Sequence, residues 1–290
     1  MLDLLQISNA QLHLKGARKG TLQLPDGSEV YTLLPREDRE PYACRWFFNE
    51  LIYCQIAKEL VAPVHPAGVF RAGDVIGLYR FRFGDRLIGL GFTAEPISVD
   101  PSPFQAEGYN INKYFDAVAP ELFGKVVHEM RRLFLLDQLL WMLDRTPDNM
   151  LGIRSSDGRF LEIRSIDHEH CLALDGDAKH PRPSAYLGLS RCHPTQMTHF
   201  VDISSTGKKE LLNSARALRN QLPVDKAQVF AEEVLVYLIQ TVRLPESDSL
   251  RDHVKATLDL YRRLWETFEN RVKDFVDRYA PLLVRCGRIP

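Results

Sequence analysis

Apolar and polar positions alternate along much of the first hundred residues, then give way to a longer period. Residues 10–14 alternate, and residues 21–24 and 30–34 flank Asp26-Gly27, a strong signal for a tight hairpin. Residues 75–83 and 87–92 predict a second strand pair, joined at Gly84-Asp85. Between the two pairs, residues 42–60 place Phe48, Ile52 and Ile56 near one face, with Pro63 just beyond, which predicts one helix.

After residue 100 the pattern changes. Pro101 and Pro103 mark a connector. Residues 121–143 then follow helical spacing through Leu122, Val126, Met130, Leu133 and Leu136 or Asp137. A short strand pair, 150–153 and 159–166, turns at Ser156-Asp157-Gly158. The rest reads as helix: 208–222, 225–242 and a last long helix over 249–279. The stripe Leu250, Val254, Leu258, Tyr261, Trp265, Phe268, Val272 and Phe275 on that helix is the pattern of a core-facing side. The order predicts an α+β chain of two lobes, a strand-rich lobe with one helix over residues 1–100 and a helical lobe over residues 101–290.

Composition narrows the function classes. The chain has 290 residues, 45% of them hydrophobic, enough for a substantial core. Lys and Arg total 37 against 38 Asp and Glu, a net charge of -1, so no overall basic excess asks for nucleic acid. The five cysteines are odd in number, widely spaced and without a CxxC pair, which points to reduced thiols in a cytoplasmic setting. The first residues lack the basic start and apolar run of a signal peptide, and no window approaches 18 unbroken apolar residues. The expectation is a cytoplasmic protein that engages neither membrane nor nucleic acid directly.

The segment with chemistry is 137–149, DQLLWMLDRTPDN, followed by the short hairpin and Ile166-Asp167-His168. An apolar helix runs into a polar loop, and a hairpin with arms of similar length returns a second carboxylate beside the loop. Asp144, Asn149 and Asp167 then converge on one crevice. Phosphoryl transfer needs such a set: hard oxygen ligands for a phosphate-bound Mg²⁺ and a carboxylate near the nucleophile. Asp144 is the candidate base or orienting group, and Asn149 and Asp167 are the candidate metal ligands. The plain alternative is turn and capping chemistry, with Asp167 a strand-end residue paired to Arg145. A competing cluster is Asp167-His168-Glu169-His170-Cys171 with Cys192-His193, whose donors suit a transition metal or a metal-dependent hydrolase. On a strand, His168 and His170 share one face, and the spacing fits no established zinc motif. His65, beside Pro63 and Pro66, reads as loop chemistry.

The stretch 136–172, LDQLLWMLDRTPDNMLGIRSSDGRFLEIRSIDHEHCL, resembles the catalytic region of HipA-like kinases in order and spacing. Its loop is also similar to that of the phosphatidylinositol 3- and 4-kinases. Upstream, Phe48-Asn49-Glu50-Leu51 and Ile56-Ala57-Lys58-Glu59-Leu60, then Pro63-Val64, resemble the first helix of the HipA-like family and the strand after it. The resemblance spans roughly residues 10 to 175. It implies a two-lobed protein-kinase-like fold that uses ATP and Mg²⁺ and phosphorylates a protein Ser/Thr hydroxyl. A protein substrate or a regulatory protein is the implied partner. Glu50 is implied to pair with an ATP-binding lysine. The turn at 15–21 is placed over the phosphates, with Gly16, Arg18, Lys19 and Gly20 as candidate contacts. Two positions depart from the family. Leu34 stands where the lysine is expected, with Arg36, Arg39, Arg45, Lys15 and Lys19 the nearby cations, and Thr146 stands where a histidine is common. Leu34 motivates a second reading, a pseudokinase or nucleotide-binding regulatory module. The histidine-rich cluster motivates a third, a metal-dependent hydrolase.

Overall fold

The computed structural model describes residues 4–14, 19–24, 26–27, 29–34, 42–82, 87–89, 120–142, 150–154, 160–172, 205–244 and 248–285. Their arrangement is α+β, with strands early in the chain and helices late. The alternating segments form β1 (Leu4–Ile7), β2 (Leu12–Leu14), β3 (Lys19–Gln23), β4 (Glu29–Leu33), β5 (Gly68–Ala72) and β6 (Val75–Arg82). These make one sheet in the order β1-β5-β6-β4-β3-β2, in which only β1 and β5 run parallel. The β3–β4 hairpin turns where Asp26-Gly27 predicts it. Gly27 has φ 80 and its N–H donates to Leu24 O at 2.9 Å, a backbone state that suits glycine. In the β5–β6 pair, Phe70 lies opposite Gly77 and Tyr79 opposite Gly68. A Cβ at either glycine would run into the facing ring, so each aromatic covers a bare stretch of its neighbour strand.

Among the described residues, the second strand pair expected from the sequence, 75–83 with 87–92, is not formed. β7 (Leu87–Gly89) joins β8 (Met150–Arg154) and β9 (Phe160–Ser165) in a separate three-stranded sheet, β7-β8-β9. The reason is that β6 already has β5 on one side and β4 on the other, so no ladder edge remains for β7. β1 and β5, which no alternation singled out, complete the larger sheet.

The long-period segments form α1 (Tyr42–Glu59), α2 (Pro120–Leu139), α3 (Ser205–Gln221), α4 (Val224–Val236) and α5 (Asp248–Arg285), with a π-helical turn at Tyr237–Thr241 after α4. α1 and α2 end alike. Val61 (φ 51) and Trp141 (φ 51) take the left-handed conformation, and the next N–H returns to the last turn, Ala62 to Ala57 O at 2.8 Å and Met142 to Asp137 O at 2.9 Å. That 6→1 closure satisfies carbonyls a helix end would otherwise orphan.

Among the described residues, two apolar clusters result. A small one, Leu22, Val30, Phe70 and Ala72, lies on the large sheet. The main core unites α1 with all four later helices through residues such as Phe47, Leu51, Phe134, Leu139, Leu218, Val234, Tyr261 and Phe268. The stripe on α5 faces inward as its spacing requires, with Leu250, Val254, Tyr261, Phe268 and Val272 buried. No helix among the described residues is long and apolar enough to cross a membrane.

Candidate functional site

β9 ends at Ser165, and the chain leaves the strand through Ile166 into a turn over residues 167–172. Asp167 has φ 62 and Leu172 φ 48, so both ends of the turn are left-handed. Asp tolerates that region better than most residues, though at a cost of order 1 kcal/mol that the surroundings must hold in place. The surroundings are α1. The Glu50 carboxylate accepts the backbone N–H of His168 through Oε2 at 2.5 Å, and its Oε1 lies 3.2 Å from His168 Nδ1. Both side chains are fully buried. Asn49, one residue earlier, donates from Nδ2 to Glu169 O at 3.0 Å, and its own carbonyl accepts the Cys171 S–H at 3.2 Å. Consecutive residues of one helix thus hold three positions of the turn, His168, Glu169 and Cys171.

Five further contacts fix this clamp. The Tyr53 ring stacks on the His168 imidazole, centroids 4.1 Å apart and planes 10° from parallel, and its hydroxyl donates to Asp137 on α2. Ser165 Oγ lies 3.1 Å from His168 Nε2. His253 on α5 lies 2.9 Å from Asn49 Oδ1. Because Asn49 Nδ2 is a donor to Glu169, Oδ1 is the acceptor and His253 Nε2 carries the proton. Burial, aided by the Arg45 guanidinium, lowers the His253 pKa to about 4, so the ring is neutral at pH 7. Last, Leu172 N donates to Leu140 O at 2.8 Å, laying the end of the turn against the end of α2.

α2 leads into the segment that carries Asp144 and Asn149, and its end is held from α5. Arg271 donates to Gln138 O at 2.5 Å and Leu264 O at 2.8 Å, with its guanidinium 5.2 Å from the Trp141 ring centroid. Burial lowers the Arg271 pKa to about 10, which leaves it charged. On the far side, Met150 opens β8 opposite Ser165. The connection between α1 and β5 joins the same place: Ser165 N donates to Pro63 O and His65 N to Ser165 O, both at 2.9 Å.

Of the residues singled out from sequence, Asp167, Glu50, Lys19 and Gly20 lie among those described, whereas Asp144, Asn149, Gly16 and Arg18 lie outside them. Glu50 and Asp167 are brought to the same turn, with Glu50 bonded to the residue that follows Asp167. Lys19 and Gly20 belong to the start of β3, opposite Leu33 and Thr32. A Cβ at Gly20 would come within 2.6 Å of His13 O, so close strand packing accounts for that glycine. Leu34 packs against the small sheet cluster. Arg45 sits one turn before Asn49, near His253. The histidines do not share a face: residues 167–172 are a turn, so His168 is fully buried while His170 is 47% exposed beside Glu169. Cys192 and His193 lie outside the described residues. His65 belongs to a loop, as expected, with Nδ1 3.1 Å from Pro66 O.

Sequence reasoning missed the supporting shell. Tyr53, Ser165, His253 and Arg271 carry no local signal, Asn49 stands only within the resemblance of the first helix, and Asp137 is given no role. The one available hint was polar residues, Asn49, Glu50 and Asp137, inside otherwise apolar helical stretches.

No family model and no curated protein matches the chain by sequence. Solved structures do resemble it. One is the proinflammatory kinase CtkA of Helicobacter pylori, with a TM-score of 0.55 and 14% identity, over 96% of this chain and 99% of that chain. The fold is kinase-like. The α+β order, strand-rich part first and helical part second, is the two-lobed one that the sequence pattern predicts, and its kinase-like character is what the resemblance implied.

Proposed function

We propose that this chain transfers the terminal phosphoryl group of ATP, with Mg²⁺, to a protein Ser/Thr hydroxyl, as HipA-like kinases do. The observation that carries the reading is the turn at Asp167. In a kinase-like fold, a carboxylate stands in a left-handed position at the end of a hairpin, and two consecutive residues of α1 hold that turn rigidly. Catalysis of phosphoryl transfer is mainly positioning and charge neutralisation, so a carboxylate fixed this way has a use that an ordinary strand end lacks.

The donor chemistry fits the ions. Asp167 and Asn149 offer hard oxygen ligands, which suit Mg²⁺, and the register that sets Met150 opposite Ser165 supports their lying near each other. When bound, the metal neutralises charge on the transferring phosphate. Asp144 orients the acceptor hydroxyl and takes its proton. The turn containing Gly16 and Arg18, with Lys19 and Gly20 at its exit, faces the phosphates. Residues 1–100 form the nucleotide lobe and residues 101–290 the catalytic lobe of a cytoplasmic enzyme whose partners are ATP and a separate protein.

Thermal unfolding with and without Mg-ATP tests this, on wild type and Asp167→Asn, a nearly isosteric change that also tolerates the left-handed region. At about 100 times its Kd the nucleotide stabilises the fold by roughly 2.7 kcal/mol. That raises the midpoint by about 2–4 °C per kcal/mol. The shift is expected in wild type and lost in Asp167→Asn. Phosphate transfer to protein acceptors should in turn be abolished by Asp144→Asn. One observation favours a second reading, a nucleotide-binding module without transfer. Leu34 is committed to apolar packing at the position where a cation is expected. A Mg-dependent shift with no transfer to any acceptor would select it.

A further inference from the structure

Beside the hard oxygen donors at Asp167 lies a second, softer set. We propose that Glu50, Cys54 and His168 form a zinc site distinct from the Mg-ATP site. One donor atom from each of the three lies within 4.8 Å of the others. Glu50 and Cys54 are four residues apart on α1 and so share a face of the helix, and the left-handed turn at Asp167 delivers His168 to that face.

The geometry and chemistry agree with a metal. Glu50 Oε1 and His168 Nδ1 are 3.2 Å apart, close to the edge of a zinc tetrahedron, roughly 3.3 Å for ligand distances of about 2.0–2.1 Å. Two of the three, His168 and Glu50, also have the support that metal ligands usually have. His168 Nε2 is 3.1 Å from Ser165 Oγ, a hydroxyl that can accept the Nε2 proton when Nδ1 ligates a metal. Tyr53 fixes the ring plane by stacking. The second carboxylate oxygen of Glu50 is held by the His168 N–H, which orients the carboxylate with Oε1 toward His168 Nδ1. Glu50 and His168 are fully buried, whereas Cys54 is half-buried and gives an ion a way in. A thiolate with an imidazole selects zinc over magnesium. Three protein ligands leave the fourth position to water. Binding takes Cys54 as the thiolate and His168 as the neutral ring, so it releases protons and strengthens as pH rises. Zinc held here ties α1 directly to the turn that presents Asp167.

The test uses the whole chain, stripped with a chelator, dialysed and titrated with Zn²⁺ alone against a chromophoric competitor. The same titration with Co²⁺ reads the thiolate-to-cobalt charge-transfer band in the near ultraviolet. The expected result is a single site that excess Mg²⁺ does not displace, with a charge-transfer band that disappears in Cys54→Ala. Ser165→Ala is expected to weaken zinc binding by about 10–100-fold. Cys44→Ala, on the same helix, and Cys192→Ala, in the other histidine-rich stretch, should bind as wild type does. The proposal is overturned if wild type binds no zinc, if wild type shows no thiolate band, if Cys54→Ala binds as tightly as wild type, or if Cys192→Ala abolishes binding. None of these readings uses nucleotide, so the zinc site and the phosphoryl-transfer reading fail separately.

Discussion

The two apolar clusters of this protein differ in what they hold. The cluster on the large sheet is small, built around Leu22, Val30, Phe70 and Ala72, and Leu34 and Tyr79 pack at its margin. The main core gathers five helices, and at its heart is a buried polar seam: Glu50 with His168, Asn49 with Glu169, Cys171 and His253, Tyr53 with Asp137. α1 lies in the strand-rich stretch of the sequence but packs with the helices. The lesson is that the carboxylate at Asp167 is positioned by the large core, through α1, whereas the strands expected to meet phosphate rest on the small one.

Substitutions sharpen that contrast. The largest expected effect is at Phe134, fully buried with its ring 4.9 Å from that of Phe275. Phe134→Ala should cost about 3–5 kcal/mol in denaturant unfolding, against about 2–3 kcal/mol for Leu22→Ala in the sheet cluster. Equal losses would mean that the sheet cluster is as deeply coupled as the helical core. Glu50→Ala leaves the His168 N–H and imidazole facing a gap in the seam and should cost a similar 3–5 kcal/mol. Glu50→Gln, which keeps an acceptor, should lose about 1–3 kcal/mol by the same measurement.

The seam also predicts a pH dependence. His253 is charged below pH 6.5 when unfolded but only below about 4 when folded. Across that window the unfolded chain binds more protons, so stability falls as pH falls, by about 1.4 kcal/mol per unit from this group. The difference between wild type and His253→Gln should therefore change with that slope between pH 6 and 4.5. A constant difference would remove the buried neutral imidazole from the account. The smallest effect is expected at the rim, where Lys226 on α4 bonds the exposed Glu59 at the end of α1. Glu59→Gln should change stability by less than about 1 kcal/mol, and high salt should erase even that.

Local pattern alone made most of the elements legible. The Asp26-Gly27 hairpin, α1, α2, the β8–β9 hairpin and the stripe on α5 each follow from a period or a turn signal that neighbouring residues carry. Two features were not legible for one reason. Which strand pairs with β7, and what stands opposite Glu50, depend on residues far apart in the chain. β6 has no free edge because β4 and β5 occupy both. His253 reaches Asn49 across 204 positions and His168 reaches Glu50 across 118. By itself the sequence determined that this chain alternates early, winds late and sets Asp167 at the end of a hairpin, because backbone periodicity and turn chemistry act between neighbours. The tertiary structure alone decided that α1 joins the helical core, that residues 167–172 turn rather than continue as strand, and that His168 faces inward while His170 faces solvent. Those outcomes turn on burial and hydrogen-bond satisfaction, which exist only once distant segments are packed.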